Sequence, residues 1–237
     1  MRSLRSSLNK PCRSSDIRGI IRMQHFSDGY WERLKPYLAG TTALEVGCGN
    51  GARTREIAPY FKSLTGMDPG PLLIAEARRN NCLDNLVFQA GSAEDLPFPD
   101  GSFEVVLFPL SFHHIAPELM RPAIAEAVRV LTPKGSVIFI EPENEGSFIA
   151  AELLFGCCDG DERRQKALAY YTMLTSEQLT EVCEMRGESF FQFDSEQDFL
   201  ENIAWLEGTR SALADYLACH DYRLSAKRRI NVFRKAA

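Results

Sequence analysis

The sequence predicts an α/β protein: a doubly wound, mostly parallel sheet with helices on both faces. Three observations predict it. Strand-like apolar runs alternate with helix-like segments across residues 43–140. The first of these strands runs into a glycine turn, Gly47-Cys48-Gly49-Asn50-Gly51, that opens a helix. Polar residues suited to ligand contact then recur at the carboxyl ends of the predicted strands, where sheets of this kind place their ligands.

Each element has its own warrant. Residues 16–39 read as one or two helices, with Ile17, Ile20 and Ile21, then Trp31, Leu34 and Leu38, at near-helical spacing. Strand 43–47, helix 52–60, strand 63–67, helix 70–79, strand 86–89, strand 103–108, helix 117–131 and strand 135–140 follow. Beyond Pro142 the pattern loosens. Residues 148–171 look helical apart from Gly156 and the Asp159-Gly160-Asp161 interruption. Thr175-Ser176-Glu177-Gln178 offers a capping signal for a helix running to about Met185. Residues 188–193 and 229–234 have strand character and bring the sheet to seven strands, with a helix expected over 196–206 between them. No repeat or second linker breaks 16–237, which reads as one domain with a helical cap over 16–40 and a helical cover within 142–230.

Composition narrows the function classes. With 237 residues, 45% hydrophobic and 25% charged, the chain can fill one core. A net charge of −5 gives no general attraction to nucleic acid. No apolar run approaches the roughly 18 residues of a membrane helix. Seven cysteines, without a C-x-x-C pair, point to free thiols in a reducing, cytoplasmic setting. The first 15 residues carry Arg2, Arg5, Lys10 and Arg13 among serines with no acid; they read as a disordered solvated tail or, alternatively, as a transit peptide.

The glycine turn serves two cofactor classes. Gly47, Gly49 and Ala52 fit G-x-G-x-x-G/A, with Asp68 about 20 residues on, as in nicotinamide dinucleotide sites. Gly51, however, also makes the turn G-x-G-x-G, Glu45 precedes it, and Ala90 to Phe98 ends the third strand in a polar turn suited to an adenine edge.

Taken in order, LEVGCGNG (44–51), GMDPG (66–70), GSAEDLPFPDGSFEVVLF (91–108) and EAVRVLTPKGSVIFIEP (126–142) resemble class I S-adenosylmethionine-dependent methyltransferases. The similarity is to the small-molecule group that includes quinone-biosynthesis enzymes, and it covers about residues 25–141. It implies a Rossmann-like sheet closed by an antiparallel carboxyl-terminal strand, with S-adenosylmethionine as cofactor and S-adenosylhomocysteine as product. By the same resemblance Gly47, Cys48 and Gly49 meet the methionine part, Glu45 faces its amino group, and Asp68 with Pro69 takes the ribose. Ser92 and Ala93 take the adenine edge, and Phe108 and Tyr30 complete the surroundings. Ser92 departs from the Asp that many relatives carry there, which shifts adenine readout toward backbone amides.

Methyl transfer needs a general base only where the nucleophile must lose a proton. His113 and His114, just after strand 103–108, are the candidates, against a reading in which they only shape the pocket. As adjacent loop residues they are expected to point apart, so at most one serves. Glu141, Glu143 and Glu145 read as a solvated loop or as an attractor for a cationic substrate. His25 and Tyr30 line the site or pack a helix. Cys157, Cys158 and Cys183 lack the spacing of a zinc site, and no metal is expected. A short-chain dehydrogenase would carry Tyr-x-x-x-Lys, which is absent. An amino-methylating nucleic-acid enzyme would carry Asp/Asn-Pro-Pro-aromatic where Phe108-Pro109-Leu110-Ser111 stands. A non-catalytic cofactor-binding or scaffold protein is the remaining alternative. The expected function is methyl transfer to a small molecule, with no nucleic-acid or membrane partner; acceptor atom and oligomeric state are unassigned.

Overall fold

The computed structural model describes residues 24–203 and 210–236. In chain order these form β1 (Gln24–Ser27), α1 (Tyr30–Leu38), β2 (Thr42–Val46), α2 (Ala52–Ile57), β3 (Ser63–Asp68), α3 (Pro71–Arg79), β4 (Leu86–Ala90) and β5 (Phe103–Pro109). There follow α4 (Pro117–Val130), β6 (Leu131–Pro142), α5 (Ser147–Phe155), α6 (Arg163–Leu174), β7 (Leu179–Gln192), α7 (Glu196–Asn202), α8 (Arg210–Cys219) and β8 (Arg223–Lys235). The sheet order is β1-β7-β8-β6-β5-β2-β3-β4. Strands β2 to β6 pair in parallel, and β8 runs antiparallel between β6 and β7. The winding reverses between β2 and β5, so the loops leaving those two strands flank the crevice where a doubly wound sheet binds ligands.

Parallel strands covered on both faces should be continuous apolar runs. β5 obeys: Val105 to Pro109 are all buried. One face of the sheet packs Leu44, Val106 and Phe139 against Met120, Ile124 and Ala127 of α4 and Ala169 and Met173 of α6. The other packs Ala43, Val105 and Ile138 against Trp31, Leu34 and Leu38 of α1, Ile57 of α2 and Ile74 of α3. Each fully buried side chain of this size contributes about 1.5–3 kcal/mol. A third cluster joins Phe148 and Phe155 of α5, Phe199 of α7 and Leu213 and Leu217 of α8 to Leu224 and Ala226 of β8. It forms a helical layer beyond the carboxyl edge of the sheet. No helix among the described residues is long and apolar enough to cross a membrane.

Two sequence expectations are corrected. Within 16–39, residues Gln24–Ser27 form an edge strand, not helix, pairing antiparallel with Ser189–Gln192 of β7; Gly29, at φ 82°, then starts α1. The helix expected to run to Met185 is instead the first half of β7, paired with β8 from Leu179 onward. In both places a long partner strand outweighs weak local preference. The expected 1–15 tail, the part of the 16–39 expectation that rests on Ile17, Ile20 and Ile21, and the end of the 196–206 helix lie outside the described residues.

Candidate functional site

The site begins where β2 ends. Gly47 sits at φ 83°, and a Cβ there would collide with the side chain of Ser111; only glycine tolerates both constraints. Ser111, in the loop after β5, donates from its Oγ to the Val46 carbonyl at 2.6 Å and so ties the two switch-point loops together. The Gly47 and Cys48 amides both donate to the Met67 carbonyl, at 2.8 and 2.9 Å. Gly49, at φ 56°, has open space where its Cβ would be. Asp68, at the end of β3, accepts from the Gly49 amide (2.9 Å) on one oxygen and from the Gly70 amide (2.8 Å) on the other. A carboxylate has about four acceptor positions, so Asp68 can hold the turn and still accept ligand hydroxyls.

These groups wall a cavity of about 430 Å³, within the range of small-molecule sites. Gly47, Gly49, Asp68, Pro69, Ser92, Ala93 and His114 all line it, with Leu110, Ser111 and Leu119 opposite.

Five residues expected at the site stand off that lining. Cys48 is 7% exposed, and burial, foremost, pushes its thiol pKa well up, so it is a filler behind the turn. Phe108 is fully buried, 5.0 Å from the Phe139 ring, because strand alternation turns it into the core. Tyr30 is 2% exposed and packs on Trp31 at 5.3 Å. Glu45 is fully buried, and neither carboxylate oxygen has a hydrogen-bond partner among the described residues. Burial lifts its pKa to about 7. An orphaned buried carboxyl one residue from the turn is the kind of group a cofactor's cationic amino group would satisfy. His113, the fifth, faces a second cavity.

That second cavity, about 250 Å³, shares Leu110 and His114 with the first. Leu110 adopts a left-handed φ of 60° at the junction, a cost usually borne at functional positions. The walls combine Phe148, Ile149 and Phe191 with Arg53, Glu152, Glu162, Lys166 and Arg228. His113 and His114 occupy a short 3₁₀ turn, Phe112–His114, and converge instead of diverging: their ring centres lie 4.1 Å apart. Both reach Glu162, His113 through Nε2 at 3.5 Å and His114 through Nδ1 at 3.3 Å. His113 Nδ1 makes a short buried contact to Glu141, whose other oxygen accepts from the Phe112 amide at 3.1 Å. Burial alone would push the His113 pKa down, but Glu141 and Glu162 outweigh it and lift it to about 9. Glu162 is pushed up by burial and pulled below its ordinary value by His113, His114 and Lys166. It stands just before α6 and its ammonium partner Lys166, at 3.6 Å, one turn in. The donors of His113, His114 and Glu162 lie within 4.8 Å of one another, the one set of possible metal ligands among the described residues; Lys166 already neutralises its carboxylate.

Residues 44–139 match the sequence profile of the methyltransferase domain. Over that stretch the chain is similar to methyltransferases of the S-adenosylmethionine-dependent class. The chain is 29% identical over 153 residues to a demethylmenaquinone methyltransferase of Tropheryma whipplei, covering 62% of each. It is 40% identical over 114 residues to a phthiotriol/phenolphthiotriol dimycocerosates methyltransferase of Mycobacterium ulcerans, covering 46% of this chain and 41% of that protein. The chain thus spans less than two thirds of the length of these relatives. The YcgJ protein from Bacillus subtilis superposes with a TM-score of 0.56 at 16% identity, over 88% of this chain and 98% of that one, a likeness of fold.

Ser111, Glu152, Glu162, Lys166, Arg53 and Arg228 were not singled out from sequence. For Arg228 a signal existed: Leu224, Ala226, Ile230 and Val232 alternate along the buried face of β8, and Arg228 occupies the position between them.

Proposed function

We propose that the protein transfers a methyl group from S-adenosylmethionine to a small-molecule acceptor by in-line displacement. The observation that carries this reading is the pairing of two cavities at the strand-order switch, joined at Leu110 and His114. One has the glycine turn, Asp68 and the Gly91–Ala93 turn of an adenosyl site; the other offers room for a second substrate. A cofactor bound in the first supplies an activated methyl on sulfonium sulfur. In this reading Gly47 and Gly49 let backbone approach it, Glu45 provides a buried carboxylate for its ammonium, Asp68 and Pro69 hold the ribose, and Ser92 and Ala93 meet the adenine.

What the chain adds is alignment and exclusion of water. His114, on both cavities and 47% exposed at its side chain, is placed to take a proton from the acceptor. His113, cationic at neutral pH between Glu141 and Glu162, serves as a donor that fixes the turn. The second cavity also favours an enzyme over a purely cofactor-binding scaffold, which has no use for it. Two measurements test the proposal: calorimetry with S-adenosylhomocysteine, and transfer of labelled methyl into a metabolite extract. Folded protein that binds no S-adenosylhomocysteine but takes up a nicotinamide nucleotide would refute it.

A further inference from the structure

The second cavity holds two guanidinium groups without an ion pair among the described residues, Arg53 and Arg228, and only Arg228 is buried. The two histidines, Glu152, Glu162 and Lys166 are paired. His113 is held between Glu141 and Glu162. Glu162 is shared among His113, His114 and Lys166, and Lys166 lies 4.0 Å from Glu152. Arg53 donates to the Pro109 carbonyl at 2.8 Å. Arg228 differs. It is 3% exposed, and among the described residues its single hydrogen bond runs from Nε to the Ser189 hydroxyl at 3.1 Å. The two terminal nitrogens, the forked end that grips planar anions, have no hydrogen-bond or ion-pair partner there. Its guanidinium carbon lies 6.0 Å from the centre of the Phe191 ring.

This placement is expensive. Arg228 occupies the apolar face of β8 with Ala226 before it and Ile230 after it. An unpaired buried charge costs several kcal/mol, and an aliphatic residue would extend the pattern of that face. Burial, chiefly, pulls its pKa down to about 10, and nearby Arg53 adds to the pull; the group still remains a cation at neutral pH. Glu152 and Glu141 act on it only through space. Glu152 moreover has one oxygen without a hydrogen bond among the described residues, and burial holds its carboxyl at about 7, so it is a partial counter-charge. Guanidinium groups pair with carboxylates through two parallel hydrogen bonds, and that capacity is unspent.

We propose that the acceptor is a small organic anion whose planar oxyanion head, a carboxylate in the simplest case, seats on the Arg228 guanidinium. Its apolar body lies against Phe148, Ile149 and Phe191 in the same cavity. The inference rests on reading that cavity as the acceptor site of a methyltransferase, and the experiment separates the two.

Calorimetry on the full chain saturated with S-adenosylhomocysteine compares benzoate with benzamide, alike in shape and different in charge. Benzoate is expected to bind at least about tenfold more tightly, a difference of about 1.4 kcal/mol. In Arg228→Gln that preference disappears while S-adenosylhomocysteine affinity is unchanged, and Tm holds or rises because an unpaired buried charge is gone. Arg228→Lys, which keeps charge but not the fork, gives an intermediate preference. Equal affinity for the two probes, no binding of either by the wild type, or a preference that survives in folded Arg228→Gln overturns the proposal. A fall in Tm with unchanged benzoate affinity makes Arg228 a structural brace and overturns it too. The wild-type comparison decides even if a variant fails to fold. Should S-adenosylhomocysteine itself not bind, the methyl-transfer reading falls, and the benzoate comparison on the cofactor-free protein still decides the role of Arg228.

Discussion

The two cavities that meet at Leu110 and His114 are built from different materials. The first is made of backbone and short side chains from a single βαβαβ run, between Val46 and Ala93, closed by the loop after β5. The second is made of long charged side chains from the 3₁₀ turn, α2, α5, α6 and β8, joined only by the fold. A backbone cradle presents amides and open space to any ligand of the right shape, so it suits a constant cofactor. A side-chain cavity can be recharged one residue at a time, so it suits the acceptor in the proposed reading, and specificity would reside there.

The comparison can be broken most forcefully at Glu141. Glu141→Ala leaves the buried His113 imidazole with Glu162 alone and frees the Phe112 amide; a loss of about 3 kcal/mol in urea unfolding is expected. A loss under 1 kcal/mol would mean that the side-chain half does not depend on its ion pairs. The pH dependence sharpens the same point. His113 has a folded pKa raised to about 9, so its stabilisation is complete below about 6.5 and is lost as pH rises to 9. By linkage that limb amounts to about 3 kcal/mol, and His113→Asn should flatten it. Glu45 and Glu152, both raised to about 7 by burial, act in the lower window: stability falls between roughly pH 4.5 and 7, as the unfolded carboxyls ionise first.

The backbone half should answer differently. Gly47→Ala forces a Cβ onto Ser111 at a left-handed φ, and a loss of about 1–3 kcal/mol is expected. Cofactor affinity should fall with it, whereas benzoate binding should not. Asp68→Ala should weaken S-adenosylmethionine binding at least about tenfold, or about 1.4 kcal/mol; unchanged calorimetric affinity in a folded variant would remove Asp68 from the site. The smallest effect is expected at His114, where His114→Ala should lower turnover several-fold with Tm almost unchanged. His113→Ala should lose both turnover and stability. Equal and negligible effects at the two histidines would remove the proton-transfer role.

How much of this was readable from the chain follows from the same contrast. Gly47, Gly49, Asp68, Ser92 and Ala93 were legible because strand–turn–helix grammar places them at strand ends, whatever the remainder of the chain does. Phe108 and Tyr30 were misplaced with respect to the cavity because a strand end or a covering helix does not say which way a side chain turns. Both histidines were expected to diverge; the 3₁₀ turn and the approach of Glu162 bring them together. Glu162 and Lys166 carried no motif, being ordinary residues at the start of an amphipathic helix. Arg228 alone left a trace, as the one charge in an apolar alternation.

By itself, the sequence determined the α/β alternation, the parallel core and the glycine turn at the end of β2, because these depend on period, glycine and short-range turn chemistry. Tertiary structure alone decided that Gln24–Ser27 and Leu179–Met185 are strands, that Glu45 has no hydrogen-bond partner among the described residues, and that Arg228 lines the second cavity with its fork unpaired among them. Strand pairing and the desolvation of a charge are fixed by residues distant in the chain, and only the completed fold brings them within range.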